Sequence, residues 1–439
     1  MKPSVLFKKI TVVTPDENQI VKTMTEAAVS IINGKIAYCG QDEDEAIRIF
    51  AGYPYEICSG QDRILLPAFA NTHGHMAMTL LRNQADDYAL QPWLFQVIFP
   101  RENRLTHDIV ACGSRLALAE MIRSGTGAAA DMYYFQDAAA EAALDAGFRL
   151  NFCVDVKRQD PDGETIVDDQ ILSDQIRQYS RHPSGLLRVS MLIHSVYLYA
   201  SDLYPILASL ARQMDCPVQV HVSETEQEIT DCLAKYHQRP ACQLENFGFF
   251  ATPTIAAHCV HLDDAERAVL ARHSVLVAHC PASNLKLGSG VADLPAMIKA
   301  GIRLGIGTDG AASNNNLDLY KDMRLASFLA KGANRDAAVM PAADLLTMAT
   351  SQGMSGLGFS HSGRIAAGMD ADLQIVQTDR PEMVPQGNPV SALVYSADGA
   401  AVESLMVDGR WLMYKRELQT LDEERLIAEA RQAAKILNQ

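Results

Sequence analysis

The stretch that decides the fold is residues 64–75, which read Ile64-Leu65-Leu66-Pro67-Ala68-Phe69-Ala70-Asn71-Thr72-His73-Gly74-His75. An apolar run of β type ends here in two histidines that stand two residues apart. Side chains at such a spacing on an extended segment point to the same side, so His73 and His75 can reach one metal ion. A His-x-His pair alone is weak evidence, and its meaning depends on what the rest of the chain places beside it.

Polar residues end other short β-type runs along the chain in the same way. Eight such runs alternate with helical patterns: 64–71, 126–131, 148–154, 187–194, 217–222, 254–259, 275–279 and 303–308. The polar residues at or just after their ends are His73, His75, Asp131, His194, His221, His258, His279 and Asp309. This alternation predicts a (β/α)8 barrel, whose active site forms at the C-terminal ends of the strands.

Both ends of the chain carry β-hairpin signals. Asn33-Gly34 and Asp408-Gly409 each stand between two apolar runs, and these dipeptides favour two-residue hairpin turns. Because neither end forms a complete β domain by itself, we expect the termini to pair in one small β-sandwich. The expected domains are residues 1–65 with 366–439, a sandwich with a C-terminal helix, and residues 66–365, the barrel. Two unrelated hairpins packed on the barrel are the alternative.

Bulk composition excludes some classes of function. The chain has 439 residues, more than one core usually holds, and a formal net charge of -15. An acidic surface argues against nucleic acid or an anionic membrane as the main partner. No run approaches the roughly 20 apolar residues of a membrane span, and the first residues do not resemble a signal peptide. The nine cysteines include no Cys-x-x-Cys pair, so we expect buried thiols in a cytoplasmic protein.

Four of the strand-end residues form a candidate metal site. Imidazole nitrogen and carboxylate oxygen suit zinc, and a catalytic zinc site leaves one position for water. We interpret His73, His75, His221 and Asp309 as ligands of a single metal ion. The reaction class that this set predicts is metal-assisted hydrolysis.

Further residues are candidates for roles beside the metal. Glu224 stands where a carboxylate can hydrogen-bond a substrate nitrogen and shuttle a proton, although an acid at the start of a helix capped by Ser223 would occupy the same position. His258 can polarise the attacking water, or else be a buried histidine bonded to backbone. His194 is expected to reach the cavity as a substrate contact, and His261 is expected to cap the next helix.

These residues belong to longer motifs, by which the chain resembles the amidohydrolase superfamily. The resemblance is to its branch of purine-nucleoside deaminases that act on 5′-methylthioadenosine and S-adenosylhomocysteine, and it covers nearly the whole chain. The matching stretches are residues 66–75, 78–82, 85–87, 93–95, 100–102, 257–262, 281–288, 307–315 and 363–373. The most specific of them reads Gly307-Thr308-Asp309-Gly310-Ala311-Ala312-Ser313-Asn314-Asn315.

The resemblance implies a cofactor and a reaction. One zinc ion per subunit would be bound by the four ligands named above, with another divalent transition metal left open. The implied activity is hydrolytic deamination of an adenine nucleoside to the inosine analogue and ammonia. The implied substrates are 5′-methylthioadenosine, adenosine or 5′-deoxyadenosine, with S-adenosylhomocysteine left open.

The resemblance also implies what individual residues do. Glu224 would donate a proton to N1 of the adenine ring, His258 would stabilise the attacking hydroxide, and Asp309 would pass a proton to the departing amine. Trp93 would pack against the nucleoside and Glu102 would accept hydrogen bonds from the ribose hydroxyls. The substrate contacts that the resemblance implies are Trp93, Glu102, His194 and Glu224, and His194 would lie near the ribose or its 5′ substituent.

One position departs from the family pattern. Members that accept S-adenosylhomocysteine are expected to hold its carboxylate with arginines just after the strand that begins at Gly147-Phe148-Arg149. Here that strand ends in Val154, and the following loop reads Asp155-Val156-Lys157-Arg158-Gln159-Asp160. Lys157 or Arg158 could substitute only from a different register, so the 5′ substituent is left open.

Two other functions compete with nucleoside deamination. A deaminase or dechlorinase of a free heterocycle, such as a guanine, a pterin or an s-triazine, would use the same metal site, but Trp93 and Glu102 favour a substrate that carries ribose. A barrel that serves only in assembly is the other, and the complete set of candidate residues argues against it. The expected partner is a small-molecule nucleoside, with no nucleic acid and no membrane. An assembly of identical chains is left open.

Overall fold

The computed structural model describes residues 2–159, 165–180 and 182–437, and the side chains of all of these except Arg158 and Gln159. The predicted alternative contact from the Arg158 side chain therefore lies outside the described residues.

Eight parallel strands form the barrel in chain order. They are β1 Phe69–Asn71, β2 Thr126–Asp131, β3 Arg149–Val154, β4 Leu187–Ile193, β5 Val218–Val222, β6 Thr254–His258, β7 Leu276–His279 and β8 Arg303–Ile306. The sheet closes between β1 and β8, where the Thr72 amide donates to the Ile306 carbonyl (2.9 Å) and the Asp309 amide donates to the His73 carbonyl (3.0 Å). The predicted (β/α)8 barrel is confirmed, and it brings all eight strand ends to one mouth.

The first apolar run serves two sheets rather than one. Its first half, Arg63–Pro67, pairs with a strand from the C-terminal region, while Phe69–Asn71 begins the barrel. Pro67 has no amide hydrogen to donate, and the next amide, of Ala68, donates to the Asp372 carbonyl (2.9 Å). The chain thus passes from one sheet into the other directly before the two histidines.

Both chain ends contribute to a second sheet, as the β-rich termini predict. The strands that the described residues contribute to it are Val5–Pro15, Val21–Ile32, Lys35–Gly40, Glu56–Ser59, Arg63–Pro67, Leu373–Gln377, Val402–Val407, Arg410–Tyr414 and Glu417–Leu418. The two predicted hairpins are present, with Ile32 opposite Lys35 and Val407 opposite Arg410. A separate pair, Lys157–Gln159 and Thr165–Val167, extends from the loop after β3.

Helices follow the barrel strands or cover the ends of the fold. The α-helices are Glu43–Arg48, Leu90–Pro92, Phe99–Glu102, His107–Arg123, Gln136–Ala146, Asp169–Gln175, Leu203–Gln213, Glu226–Tyr236, Pro240–Phe247, Asp264–Arg272, Pro281–Lys286, Leu294–Lys299, Leu319–Asn334, Ala342–Thr347, Gly353–Gly356, Pro389–Tyr395 and Glu423–Leu437. Short 3₁₀ or π segments are Met76–Leu81, Trp93–Ile98, Ile176–Ser180, Phe249–Ala251, Met348–Gln352, Pro381–Met383 and Gly399–Ala401. No helix in the described part of the chain is long and apolar enough to cross a membrane.

Candidate active site

A cavity of about 270 Å³ lies at the C-terminal mouth of the barrel. This volume is near the lower end of the range for small-molecule sites, about 300–1,000 Å³. The predicted site residues that line it are His75, Trp93, Glu102, His194, His221, Glu224, His258 and Asp309. The remaining predicted residue, His73, adjoins them, because its ring nitrogen is within 4.8 Å of donor atoms of His75 and His221. The barrel therefore brings every predicted site residue together.

The four candidate ligands converge on one small volume. The Oδ1 atom of Asp309 is 3.4 Å from Nε2 of His73 and 3.2 Å from Nε2 of His75. The rings of His73 and His221 have centroids 4.9 Å apart. Both ring nitrogens of His73 are buried and have no hydrogen-bond partner among the described residues. Buried polar atoms are nearly always paired, so this unsatisfied ring fits a position on a metal ion.

Hydrogen bonds fix which atom each ligand turns inward. The Nδ1 atoms of His75 and His221 donate to the carbonyls of Met132 (2.5 Å) and His194 (2.7 Å), so Nε2 is the atom of each ring that is available to a metal ion. Such outer contacts are the usual way in which a protein orients metal-binding histidines.

Asp309 is oriented in the same manner. Its Oδ2 atom accepts from the hydroxyls of Ser283 (2.6 Å) and Ser313 (2.8 Å), so Oδ1 is left to face His73 and His75.

Burial keeps most of these imidazoles neutral. It lowers the pKa of His73 to about 4, and it lowers the pKa of His221 well below the usual value. Burial is the largest influence on His75 and opposes its charge, but the hydrogen bond and charge of Asp309, the Met132 carbonyl and the charge of Asp131 together raise the pKa of His75 to about 9. Neutral imidazole and ionised carboxylate are the forms that bind a metal ion. The proton held between His75 and Asp309 is thus one that a metal ion would displace.

Glu224 and His258 lie side by side next to this cluster. The Oε2 atom of Glu224 is 3.8 Å from Nε2 of His258, and its Oε1 atom accepts from the Ser289 hydroxyl (3.2 Å). The Nδ1 atom of His258 donates to Oδ1 of Asn284 (2.8 Å), which turns Nε2 toward Glu224. Burial raises the pKa of Glu224, which favours the protonated form that a proton donor needs.

A buried carboxylate shapes the backbone that carries Glu224. Glu228 accepts the amide hydrogens of Ser223 (3.0 Å) and Glu224 (2.8 Å) with its two oxygens. Ser223 has a positive φ of 51° there, and so turns the chain sharply after β5. The helix Glu226–Tyr236 begins with Thr225 as its cap, so Ser223 does not cap it.

Polar atoms without partners also face the cavity from its other wall. Trp93 Nε1, Tyr133 Oη and His194 Nδ1 are buried and have no hydrogen-bond partner among the described residues. Burial raises the pKa of Glu102, although Tyr133 and Tyr134 beside it oppose this. Burial also lowers the pKa of His194 to about 3, so this ring is neutral. The wall can therefore hydrogen-bond a polar, uncharged group of a ligand.

Two other histidines, His261 and His279, and one acid, Asp131, do not act as ligands in this arrangement. The prediction that His261 caps the next helix is wrong. Asp263 caps it instead, because its carboxylate accepts the Glu266 amide (2.8 Å) in a capping box, whereas His261 Nε2 contacts the Ser289 carbonyl (2.7 Å). Asp131 accepts the Met76 amide (2.7 Å) and so holds the loop after His75. His279 is buried and is not one of the described residues that line the cavity.

Sequence reasoning missed part of the wall because it lies in loops. Tyr133, Tyr134, Tyr197 and Tyr199 line the cavity from the loops after β2 and β4, and Asp155 lines it from the loop after β3. The signal that could have found the tyrosines is an aromatic-rich segment two to six residues beyond a strand end.

Comparisons with known proteins agree on one family. A sequence profile of the Amidohydrolase family matches residues 64–412. A 5-methylthioadenosine/S-adenosylhomocysteine deaminase of Dictyoglomus thermophilum is 42% identical over 86% of this chain and 88% of its own length. A 5′-deoxyadenosine deaminase of Methanoregula boonei is 42% identical over 86% of this chain and 85% of its own.

A solved structure is similar over the whole chain. The crystal structure of an adenosine deaminase from Xanthomonas campestris with bound zinc is 33% identical and superposes with a TM-score of 0.91, covering 99% of both chains.

Proposed function

This chain belongs to the amidohydrolase family, and we propose that it is a metal-dependent hydrolytic deaminase of adenine nucleosides. The observation that carries the proposal is the convergence of the metal-ligand cluster with Glu224 and His258 at one cavity. The relatives named above act on 5-methylthioadenosine, S-adenosylhomocysteine, 5′-deoxyadenosine and adenosine by their names, which supports an adenine nucleoside as substrate.

We assign one zinc ion to this site as its resident metal. His73, His75, His221 and Asp309 would hold it, because three neutral imidazoles and a carboxylate are donors that zinc prefers. When bound, the metal would lower the pKa of water toward about 7 and so supply a nucleophile at neutral pH. The zinc in the Xanthomonas campestris structure supports this choice of metal.

The protein's own groups would then handle the protons of the reaction. Water adds its oxygen to C6 of the adenine ring, the C6–N bond breaks, and the amine leaves as ammonia. Glu224 delivers a proton to N1 while C6 is attacked, so that negative charge does not build up on the ring. Asp309 takes one proton from the attacking water and passes it to the departing amine, and the second proton of that water returns to Glu224. His258, held by Asn284, orients the water with its free Nε2 atom.

The opposite wall would hold the sugar. Glu102 lines the cavity as an acceptor for the ribose hydroxyls, and Trp93 packs against the nucleoside. The unpaired atoms of Trp93, Tyr133 and His194 would gain partners when a nucleoside binds. A free heterocycle would leave these groups unpaired, which disfavours it as the substrate.

A substrate panel tests the proposed function. The protein is purified with zinc, and ammonia release is measured with adenosine, 5′-deoxyadenosine, 5′-methylthioadenosine, free guanine, a pterin and an s-triazine. We expect nucleosides to react, removal of the metal by a chelator to abolish turnover, and added zinc to restore it. Faster turnover of a free heterocycle than of every nucleoside would contradict the proposal, as would undiminished activity without metal.

A further inference from the structure

We propose that Asp155 determines which 5′ substituent the cavity accepts, by accepting a hydrogen bond from a 5′-hydroxyl and repelling an anionic group. This inference rests on the proposed function, since it needs an adenine nucleoside in the cavity. It adds a specificity-determining residue to that site and commits to adenosine over its 5′-deoxy analogue.

The first observation is the environment of Asp155 itself. The residue directly follows β3 and lines the cavity, and its side chain is 40% exposed to it and to solvent. Its Oδ1 atom accepts both the backbone amide (3.0 Å) and the ammonium group of Lys157. Its Oδ2 atom accepts no hydrogen bond from the described residues. One carboxylate oxygen is thus held in place while the other is open to a ligand.

The second observation concerns Lys157, which is not free to bind an anion. Its side chain is only 9% exposed, and its ammonium group contacts Asp155 and lies 4.0 Å from the centre of the Tyr199 ring. Burial lowers the pKa of Lys157, which the contact with Asp155 opposes. An incoming carboxylate would have to break this ion pair while it approaches the charge on Asp155.

The third observation connects Asp155 to the wall assigned to ribose. Tyr134 lines the cavity together with both acids, and burial first, then the charges of Glu102 and Asp155, raise the pKa of its hydroxyl. Tyr199, which Lys157 covers, accepts the backbone amide of His194 (3.0 Å). The acids that line the cavity among the described residues are Glu102, Asp155, Glu224 and Asp309. If Glu102 binds the 2′ and 3′ hydroxyls while Glu224 and Asp309 serve the reaction at the base, Asp155 is the acid left for the 5′ position.

The test compares substrates that differ only at the 5′ position. We measure kcat/KM for adenosine, 5′-deoxyadenosine and S-adenosylhomocysteine by ammonia release. The proteins are the zinc-loaded wild type, Asp155→Ala, Asp155→Asn, and Asp145→Ala as a control. Asp145 is an exposed carboxylate near the end of the helix Gln136–Ala146, outside the cavity. Melting temperatures check that each variant is folded.

We expect the wild type to favour adenosine over 5′-deoxyadenosine by about tenfold or more, the usual value of a hydrogen bond to a charged group. In Asp155→Ala this ratio should fall to about threefold or less, while Asp155→Asn keeps part of it because the amide oxygen still accepts. Both variants should improve S-adenosylhomocysteine relative to adenosine by about tenfold, since both remove the charge. Asp145→Ala should leave both ratios unchanged.

The possible failures separate the two proposals. An adenosine to 5′-deoxyadenosine ratio that is the same in wild type and Asp155→Ala overturns the role of Asp155 and leaves the deaminase function standing. The role is also overturned if S-adenosylhomocysteine has the highest kcat/KM in the wild type and no longer has it in Asp155→Ala. The Asp155–Lys157 pair would then bind the amino-acid group of that substrate. A wild-type protein that deaminates no adenine nucleoside overturns the function and this inference together.

Discussion

At the scale of single residues, the two reactive carboxylates share one feature: the protein hydrogen-bonds one oxygen of each and leaves the other oxygen for the reaction. Asp309 gives Oδ2 to two serines and keeps Oδ1 toward the histidines. Glu224 gives Oε1 to Ser289 and keeps Oε2 toward His258. Such commitments restrict rotation about the last bond of each side chain, and fixed geometry is what proton transfer at a defined atom requires. The two carboxylates can therefore be tested one atom at a time.

Replacing Glu224 with glutamine should remove most activity without removing the metal. The amide has the shape of the acid but cannot cycle a proton, and general acid–base groups contribute about 10² to 10⁴ in rate. We expect kcat for adenosine to fall by that factor while zinc content stays at the wild-type level. Glu226→Gln, on the exposed side of the helix that follows, is the matched control and should behave as wild type. Near-normal turnover by Glu224→Gln, or loss of its metal, would refute the proposed role.

Replacing Asp309 with asparagine should be worse than loss of a ligand alone. The amide keeps an oxygen for the metal, but it cannot accept the proton that the reaction must move. We expect activity to remain at least about 100-fold below wild type even when zinc analysis shows full occupancy. If added zinc instead restores kcat to within a few-fold of wild type, Asp309 serves only as a ligand.

At the scale of elements, the turn between β5 and the helix Glu226–Tyr236 carries Glu224 into the cavity. That turn contains a residue with positive φ, and its two amides point at one buried carboxylate, Glu228. Burial raises the pKa of Glu228 to about 8, and the hydrogen bonds from the two amides oppose this rise. The helix thus contributes to the site through Glu228, which is not one of the described residues that line the cavity.

Removing the Glu228 carboxylate should impair catalysis through Glu224. In Glu228→Ala two buried amides lose their acceptor, at a cost of about 1–3 kcal/mol each, and the turn should relax to another conformation. We expect kcat to fall by about 10- to 100-fold with little change in KM or zinc content, and Glu228→Gln to be intermediate because one acceptor remains. A change confined to melting temperature, with kcat preserved, would mean that Glu228 only stabilises the fold.

The elements also show what could be predicted from the sequence. Polar residues that end apolar runs are informative because parallel strands of a barrel end at the same mouth, so the sequence alone places His73, His221 and Asp309 together. The serines and Asn284 that orient them could not, because short polar side chains in loops carry no periodic signal. The sequence identifies Asp155 only as part of a loop in the wrong register for an arginine, since it does not show which way a side chain points after a strand ends.

At the scale of the whole molecule, the reactive end of the barrel is supported from the opposite end. Arg149 begins β3, at the end of the strand away from the cavity, and is 4% exposed. It binds Asp372 with two nitrogens, at 2.6 and 3.2 Å, and Asp370 at 3.0 Å. Asp372 directly precedes a strand of the terminal sheet and also accepts the Asp408 amide (2.6 Å). A buried ionic cluster therefore ties the barrel to the sheet built from both chain ends.

Breaking this cluster should lower stability and leave the chemistry intact. In Arg149→Met the buried carboxylate of Asp372 loses its partner, and breaking one side of a buried ion pair costs about 3–5 kcal/mol. We expect the melting temperature to fall by several degrees, while kcat of the folded protein at 25 °C stays near wild type because Arg149 is at the far end of the strand. Arg188→Met is the matched control. Arg188 packs on the same Phe359 ring but has no carboxylate partner among the described residues, so its loss should shift the melting temperature less. Equal shifts for the two variants would mean that packing of the arginine stems, rather than the ion pair, joins the barrel to the terminal sheet.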